Sequence, residues 1–565
     1  MKQYLTIALF SLLLPFFLFA QGITTSSITG TVRDADGKPL AGATVKAIHI
    51  SSGTVTGGFV NSKGNFTIPG LRPGGPYKLE VSMVGFETET KEDIYLALAQ
   101  EFNIKFILQP KDIQTREIVV LSDRNDIISS NRTGASQSVT EVEIVSLPTI
   151  ARSIHDYSRL SPLVISSTSE GSNIAARNSK YNNIQVDGAV LSDAFGLASS
   201  GTPGGQAGAE PISLDAIEEF QVSIAPFDVR QGMFTGGLIN AITRGGTNNL
   251  RGSIYFYGRN QNFVGKSPVP DANNVRQSYP DFSDYFIGGR VGGPILKNKL
   301  FYFVNVETKN RKDPQRVGLA GDQGYTFNFN VSRDTLEKIR QIAINKYGYD
   351  PGSYDLYTRK TEDIKLFLRA DYNLDQNNRL TLRHNFVKAN QGNAVTRSQF
   401  AFSFSGQEYI FNSMQNQTVL QLNSIFGKNM ANELRLVYTA IRDKRDPVSK
   451  PFPSVAIYDI GPKGEDVYLG VERFSQANAL DQDIFELTNN FTYFYGDHTF
   501  TIGTSNQYVS FDNLFLQDYY GTYGFNSIAD FEAGKPSQFQ LSYSLLPNEP
   551  KPRAKFKYFQ LGLYA

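Results

Sequence analysis

The chain has no cysteine and no tryptophan, and only four histidines and five methionines among 565 residues. Without cysteine there is no disulfide, thiolate metal site, cysteine nucleophile or acylated N-terminal cysteine, and the redox compartment stays open. The histidines, His49, His155, His384 and His498, are too far apart in sequence to form an HExxH-type ligand pair, so no metal site is expected. An excess of either charge is missing too: 55 Lys and Arg face 54 Asp and Glu, which argues against nucleic acid as a partner. Gly265-Lys266-Ser267 lacks the first glycine of a phosphate loop, because Asn260 stands there. No cofactor is expected. Beyond the N-terminus no apolar run approaches the ~18 residues of a membrane helix.

What is abundant is glycine (49), phenylalanine (41) and tyrosine (29), the composition of a strand-rich protein. At the N-terminus Lys2 precedes an apolar run to Phe19, and Ala20 stands before polar Gln21. Residues 1–20 therefore read as a cleaved secretory signal. From 27 to 109, short β-prone runs alternate with Gly, Pro and Asp turns, the pattern of a small β-sandwich. Residues 110–138 are a polar linker, broken only by Glu117-Ile118-Val119-Val120-Leu121. Residues 139–249 are mixed α/β. A helix is expected to start near Thr149 and stop at Pro162, and "SSGTPGGQAGAEP" reads as a flexible loop. Glu218 and Glu219 read as a solvated pair, and the "RGGTNN" tail as a turn using positive φ.

After Asn249 the period is two. Ile364, Leu366, Leu368, Ala370 and Tyr372 share one face, and Lys365, Arg369, Asp371 and Asn373 the other. Short joints (294–298, 375–378, 427–430, 496–497) alternate with long ones (261–281, 310–362, 390–414, 444–484, 512–553). About ten strands sorted this way predict a transmembrane antiparallel barrel over 250–565, with tight turns at one end and long external loops at the other. Tyr255, Tyr257, Tyr493 and Tyr495 are the girdle candidates. Ten strands cannot enclose a hundred-residue domain, so the barrel is expected to be incomplete and the chain truncated.

Three strings carry a family resemblance. "NNIQVDGAV", "IEEFQVSIAPFDVRQGMFTGGLINAITRGG" and "SDYFIGGRVGGPILKNKLFYFVNVE" resemble the plug and first barrel hairpin of TonB-dependent outer-membrane receptors, with the Oar-like Bacteroidota type nearest. Residues 27–109 resemble the carboxypeptidase regulatory-like domain, a carbohydrate-binding-like sandwich without peptidase residues. The resemblance implies an all-β-dominated fold: N-terminal β-sandwich, mixed α/β plug domain and incomplete barrel. It places the protein in the outer membrane, with lipid around the barrel and the sandwich in the periplasm. It implies Asn183, Asp187, Gly188, Gly236, Gly237 and Asn240 as plug-motif residues. Arg177 and Arg244 become plug–barrel contact candidates. Glu117, Ile118, Val119, Val120 and Leu121 become the TonB-box candidate, although the Thr-Gly ending of starch-utilisation relatives is absent. The implied function is import of an extracellular ligand (glycan, peptide or metal chelate), energised by TonB with its inner-membrane complex. An Oar-like adhesion or protein-export accessory is the alternative. An exported hydrolase would need a nucleophile–base pair that the sequence does not display.

Overall fold

The computed structural model describes residues 25–96, 100–111, 135–149, 151–167, 171–224, 228–270, 274–313, 317–322, 325, 327–355, 358–393, 396–427, 429–495 and 498–565. The N-terminal unit has seven strands: β1 (Ser26–Asp34), β2 (Thr44–His49), β3 (Thr54–Phe59), β4 (Asn65–Leu71), β5 (Gly74–Ser82), β6 (Glu89–Leu96) and β7 (Glu101–Leu108). They form two sheets, β4-β1-β7 and β3-β2-β5-β6. Alternate residues of each sheet, among them Ile28, Val32, Val45, Phe66, Leu79 and Phe106, bury into one shared core.

The second unit begins with β8 (Ala135–Val139) and two short helices, α1 (Glu141–Ser146) and α2 (Ile154–Ser158). The helix expected from about Thr149 to Pro162 is shortened to α2. Pro148 ends the first segment, and Ser153 with Asp156 builds a capping box that starts the second late. The sheet that follows uses β11 (Asn183–Val186), β12 (Ala189–Val190), β13 (Ile217–Ile224) and β14 (Gly237–Thr243), beside a small hairpin of β9 (Val164–Ser167) and β10 (Gly171–Ile174). Its order is β12-β11-β14-β13-β8, which leaves β8 on an edge. The strings "NNIQV" and "GLINA", far apart in sequence, are parallel neighbours, with Asn183 opposite Leu238 and Gln185 opposite Asn240.

The third unit is a ten-stranded wall: β15 (Arg251–Asn260), β16 (Ser283–Leu296), β17 (Leu300–Asp313), β20 (Arg359–Asn373), β21 (Asn378–Asn393), β23 (Tyr409–Phe426), β24 (Met430–Pro447), β27 (Asn478–Tyr495), β28 (His498–Phe515) and β31 (Ala554–Tyr564). Each pairs antiparallel with the next, and β15 and β31 are the two edges. Its burial is inside-out. Arg435 is fully buried while Leu436 is 43 % exposed, and Glu486 is 4 % exposed beside Phe485 at 51 %. In water this arrangement would be unfavourable, but a lipid-facing apolar surface around a polar lumen makes it stable. Phe485 to Tyr495 spans ten residues of the outward face, roughly 33 Å of strand and about 25 Å of vertical height at the usual tilt, which matches a bilayer's apolar band. Among the described residues no helix is long and apolar enough to cross a membrane.

The girdle expectation fails for Tyr255 and Tyr257. Both turn inward, where the Tyr255 hydroxyl donates to Glu307 (2.8 Å) and the Arg152 guanidinium lies 5.0 and 4.0 Å from the two rings.

The long loops hold structure that the sequence reading left out. They contribute β18 (Val317–Leu319), β19 (Phe327–Phe329), α3 (Arg333–Tyr347), β22 (Ala401–Ser403), β25 (Ser454–Ile457), β26 (Asp466–Leu469), β29 (Thr522–Phe525), α4 (Ile528–Ala533) and β30 (Gln538–Gln540). Segments from three separate loops assemble the sheet β22-β26-β25-β29-β30, and α3, from a fourth, packs Leu336, Ile339 and Ala343 into its core with Phe402, Val455 and Phe525. Ser332 caps α3 at its start and Gly348, at φ 66°, ends it.

Candidate functional site

The centre of the molecule is the turn between β11 and β12. Asp187 and Gly188 both have positive φ, 46° and 72°, a conformation that Asp and Gly reach more readily than most residues. The Asp187 carboxylate accepts from the Thr243 amide (2.9 Å) and hydroxyl (2.7 Å) at the end of β14. Two wall arginines close on the same group: Arg383 Nε at 3.1 Å and Arg369 Nη1 at 3.8 Å. A third, Arg435, donates to the Asp187 carbonyl (3.1 Å), and Arg383 also bonds the Val186 carbonyl. Arg369 is itself held by Asp371 (2.8 Å) and donates to the Thr243 carbonyl (2.9 Å). The carboxylate of one plug residue is thus held by arginines from β20 and β21, and its carbonyl by an arginine from β24. Removing one partner of such a buried set leaves the others uncompensated.

Further donors from the lumen face satisfy plug carbonyls. Gln417 reaches Val190 (2.9 Å), and Asn385 and Gln415 both reach Pro211 (2.8 and 3.1 Å). The glycine-rich segment expected to be flexible is therefore a packed element. Ala207 and Ala209 bury against Val387, Ala389 and Phe411 of the wall, and a small-residue loop is what lets backbone approach a strand so closely. On the other side of the plug, Arg152 pairs with Asp215 and lies 3.8 Å from Glu307 of the wall. Glu307 in turn bonds Lys365 (3.0 Å).

The short-turn end of the wall carries the sandwich. Arg72 pairs with Glu218 of the plug (2.9 Å), the Asn248 amide donates to the Ser51 carbonyl (2.9 Å), and Asn373 donates to the Thr54 hydroxyl (3.2 Å). Glu218 and Glu219 are accordingly not a solvated pair: Glu218 is the docking partner and Glu219 is buried. Gly245 and Gly246 are absent from the positive-φ glycines, so the expected turn chemistry is not what selects them. Space is. A Cβ on Gly245 would lie 2.8 Å from both Arg72 Nη1 and Asp371 Oδ2, and one on Gly246 would lie 2.5 Å from the Tyr302 carbonyl oxygen.

A cavity of about 30 Å³ at this junction is bounded by His49, Arg72, Asp371 and Arg379. His49 donates to or accepts from Ser52 Oγ at 2.7 Å. Burial, with the Arg72 and Arg379 charges nearby, pushes its imidazole down to about 3 from 6.5. The unfolded or undocked histidine takes a proton below about 6.5 and the docked one does not, so the junction is at full strength above that pH and loses stability as the pH falls toward 3. Protection factors of β2 and β4 amides, with the intrinsic pH dependence of exchange divided out, are expected to fall over that window in the native protein and to stay level in His49→Asn. An unchanged slope in that variant would assign the pH response to another group.

The remaining sequence candidates are placed as follows. Asn183 donates to the Gly232 carbonyl (2.8 Å), and Asn240 accepts from the Gly188 amide (3.3 Å). Gly236 and Gly237 press against Asn182 and Ile174, where a Cβ would come within 2.3 and 2.6 Å. Among the described residues Arg244 meets no lumen carboxylate. It bonds Glu141 (2.5 Å) and the Asp215 carbonyl (3.1 Å) within the plug. Arg177 is exposed, and no ion pair among the described residues includes it. The polarity of the expected contact is therefore reversed at the central turn, where the plug supplies the carboxylate and the wall the arginines. Glu117 to Leu121 lie outside the described residues. His155 lies 2.7 Å from Ser172, which contacts Ser158 and Ser166 at 2.6 and 3.0 Å. His155, Ser158 and Ser172 are buried, and the cluster braces α2 against the β9–β10 hairpin.

The family description "Outer membrane beta barrel domain" matches residues 242–319 and 345–565, over half of the chain and nearly all of the wall. The chain belongs to that outer-membrane barrel family. The description "Carboxypeptidase regulatory-like domain" matches residues 27–109, the seven-stranded sandwich. Over 300 residues the chain is 28 % identical to the TonB-dependent transporter Oar of Myxococcus xanthus, covering 50 % of this chain and 26 % of that protein. The chain thus spans about a quarter of the length of the curated relative it matches. The outer-membrane transporter YddB of Escherichia coli has a similar fold, with TM-score 0.51 and 12 % identity over 76 % of this chain and 53 % of that one. Both relatives are named as transporters.

Proposed function

We propose that this outer-membrane barrel protein is a TonB-dependent importer of a scarce or bulky ligand, a glycan, peptide or metal chelate. The observation that carries the reading is the position of β8. It is the first described strand after the linker that holds Glu117–Leu121, and among the described residues it sits on the edge of the plug sheet with β13 as its one partner. A short β-prone segment in that linker suits strand addition to the sheet of a periplasmic partner. Tension on the linker then loads an edge strand of five residues, whose ladder can break progressively instead of all at once. The named function of the Oar relative supports the same reading. The external sheet above the wall offers a preformed surface on which ligand first lands.

Deleting residues 117–121 is expected to lower uptake at least tenfold while leaving ligand binding to whole cells unchanged. Growth of the deletion strain on defined iron, glycan and peptide sources identifies the ligand class. If cell–cell adhesion or export of a surface protein is lost and no uptake changes, the import reading fails in favour of the accessory role.

A further inference from the structure

The outward face of the wall changes character along one line. In register across the sheet, Lys388, Met414, Arg442, Asp481, Asp512 and Lys555 are successive partners from β21 to β31. On the short-turn side of that line, below Asp483 and Lys557, the outward face carries a band of exposed apolar residues that includes Leu436, Phe485, Leu487, Phe559 and Leu561. On the long-loop side Lys444, Asp446 and Arg553 are charged and Asn390 and Asn412 are polar. Tight turns face the periplasm in barrels of this kind and long loops face outside, so the line lies at the headgroup level of the outer leaflet.

A concavity of about 560 Å³ opens at that level. Lys388, Arg442, Lys444, Lys551 and Arg553 border it, and its whole lining has six Lys and Arg against three Asp. Arg442 is held by Asp483 (2.7 Å), Arg553 by Asp481 (3.1 Å), and Lys444 by Asp446 (2.5 Å). Lys388 and Lys551 enter no ion pair among the described residues. The Lys551 ammonium lies 4.8 Å from the Tyr519 ring, which leaves its other side open. The pocket is therefore electropositive after its internal pairs are counted. Directly below it, Tyr438 and Phe485 stack at 4.6 Å and begin the apolar band.

We infer that this concavity binds the phosphorylated headgroup of an outer-leaflet glycolipid. The free lysines and the fixed guanidinium groups would hold its phosphate by charge-assisted hydrogen bonds, and the acyl chains would run down over Tyr438, Phe485 and Leu487. A soluble anion could use the cations alone. Only a lipid uses the cations and the apolar strip beneath them together.

The test uses the protein purified from outer membranes and stripped of lipid by detergent exchange. Bis-phosphorylated lipid A, and the same lipid after phosphatase treatment, are titrated in micelles and bound lipid is counted by native mass spectrometry. The phosphorylated form is expected to bind at least tenfold tighter. The triple variant Lys388→Gln, Lys444→Gln, Lys551→Gln is expected to remove that difference without changing binding of the dephosphorylated lipid. Lys388→Gln alone, at an exposed position, is expected to remove part of it and covers the case in which the triple variant does not fold. Equal binding of both lipids would overturn the inference. So would displacement of lipid A by millimolar inorganic phosphate, which would make the pocket a site for a soluble anion.

Discussion

Asp187→Asn is expected to unseat the plug. Asparagine keeps the size of the side chain and tolerates the positive φ of 46°, so the change removes charge with little added strain. What it leaves behind is Arg383, fully buried, and Arg369 with only Asp371 as a counter-ion. Breaking a buried set in this way costs about 3–5 kcal/mol, a large share of the stability of any domain. Amides of β11 and β14 are expected to exchange at least a hundredfold faster, while those of β24 and β27 hold. Adding Arg383→Gln to Asp187→Asn is expected to recover part of the loss, because it removes the orphaned charge. If Asp187→Asn leaves β11 exchange unchanged, the cage does not hold the plug.

Gly246→Val is expected to prevent the plug–wall seam from closing. Its new Cβ would stand 2.5 Å from the Tyr302 oxygen, 2.8 Å from the Gly293 oxygen and 2.8 Å from Phe301 Cβ. Two of these three are backbone oxygens in the β16–β17 ladder, where Gly293 pairs with Tyr302, so neither can retreat without breaking that ladder. The cost should reach or pass the ~3 kcal/mol upper end of ordinary overpacking. The protease-resistant fraction is expected to fall more than tenfold. Gly392→Ala is the control, since its nearest neighbour is 3.8 Å away and its backbone is ordinary; it should fold as the parent does. Equal yields of the two variants would show that the seam can yield where the structure says it cannot.

The first prediction rests on wall residues whose face was legible in the sequence and whose partners were not. The period of two put Arg369 and Asp371 opposite Leu368 and Ala370. That separation needs only the pleat and a choice of solvent on each side. The alternation of short and long joints likewise needed no contacts, because an up-and-down wall sorts its loops by end. The same logic could not say that Arg383 and Arg369 meet Asp187, almost two hundred residues earlier for both. Nor could it see that the plug would supply the carboxylate and leave Arg244 bonded to its own Glu141. Pairing across such distances depends on how a hundred-residue domain sits in the lumen, and no local pattern encodes that.

The glycines of "RGGTNN" make the same point on a smaller scale. In sequence they look like turn residues, whereas in the structure Gly245 and Gly246 are the places where sandwich, plug and wall come within a methyl group of each other. The external sheet was hidden for a related reason: its strands come from three loops and are three or four residues long, each too short to show a period. By itself the sequence determined the sandwich, the alternating wall and the end from which the long loops rise, because each follows from local periodicity and turn chemistry. Only the tertiary structure decided which charges face each other, which glycines are crowded and which loops condense into a domain, because those depend on atoms brought together from distant parts of the chain.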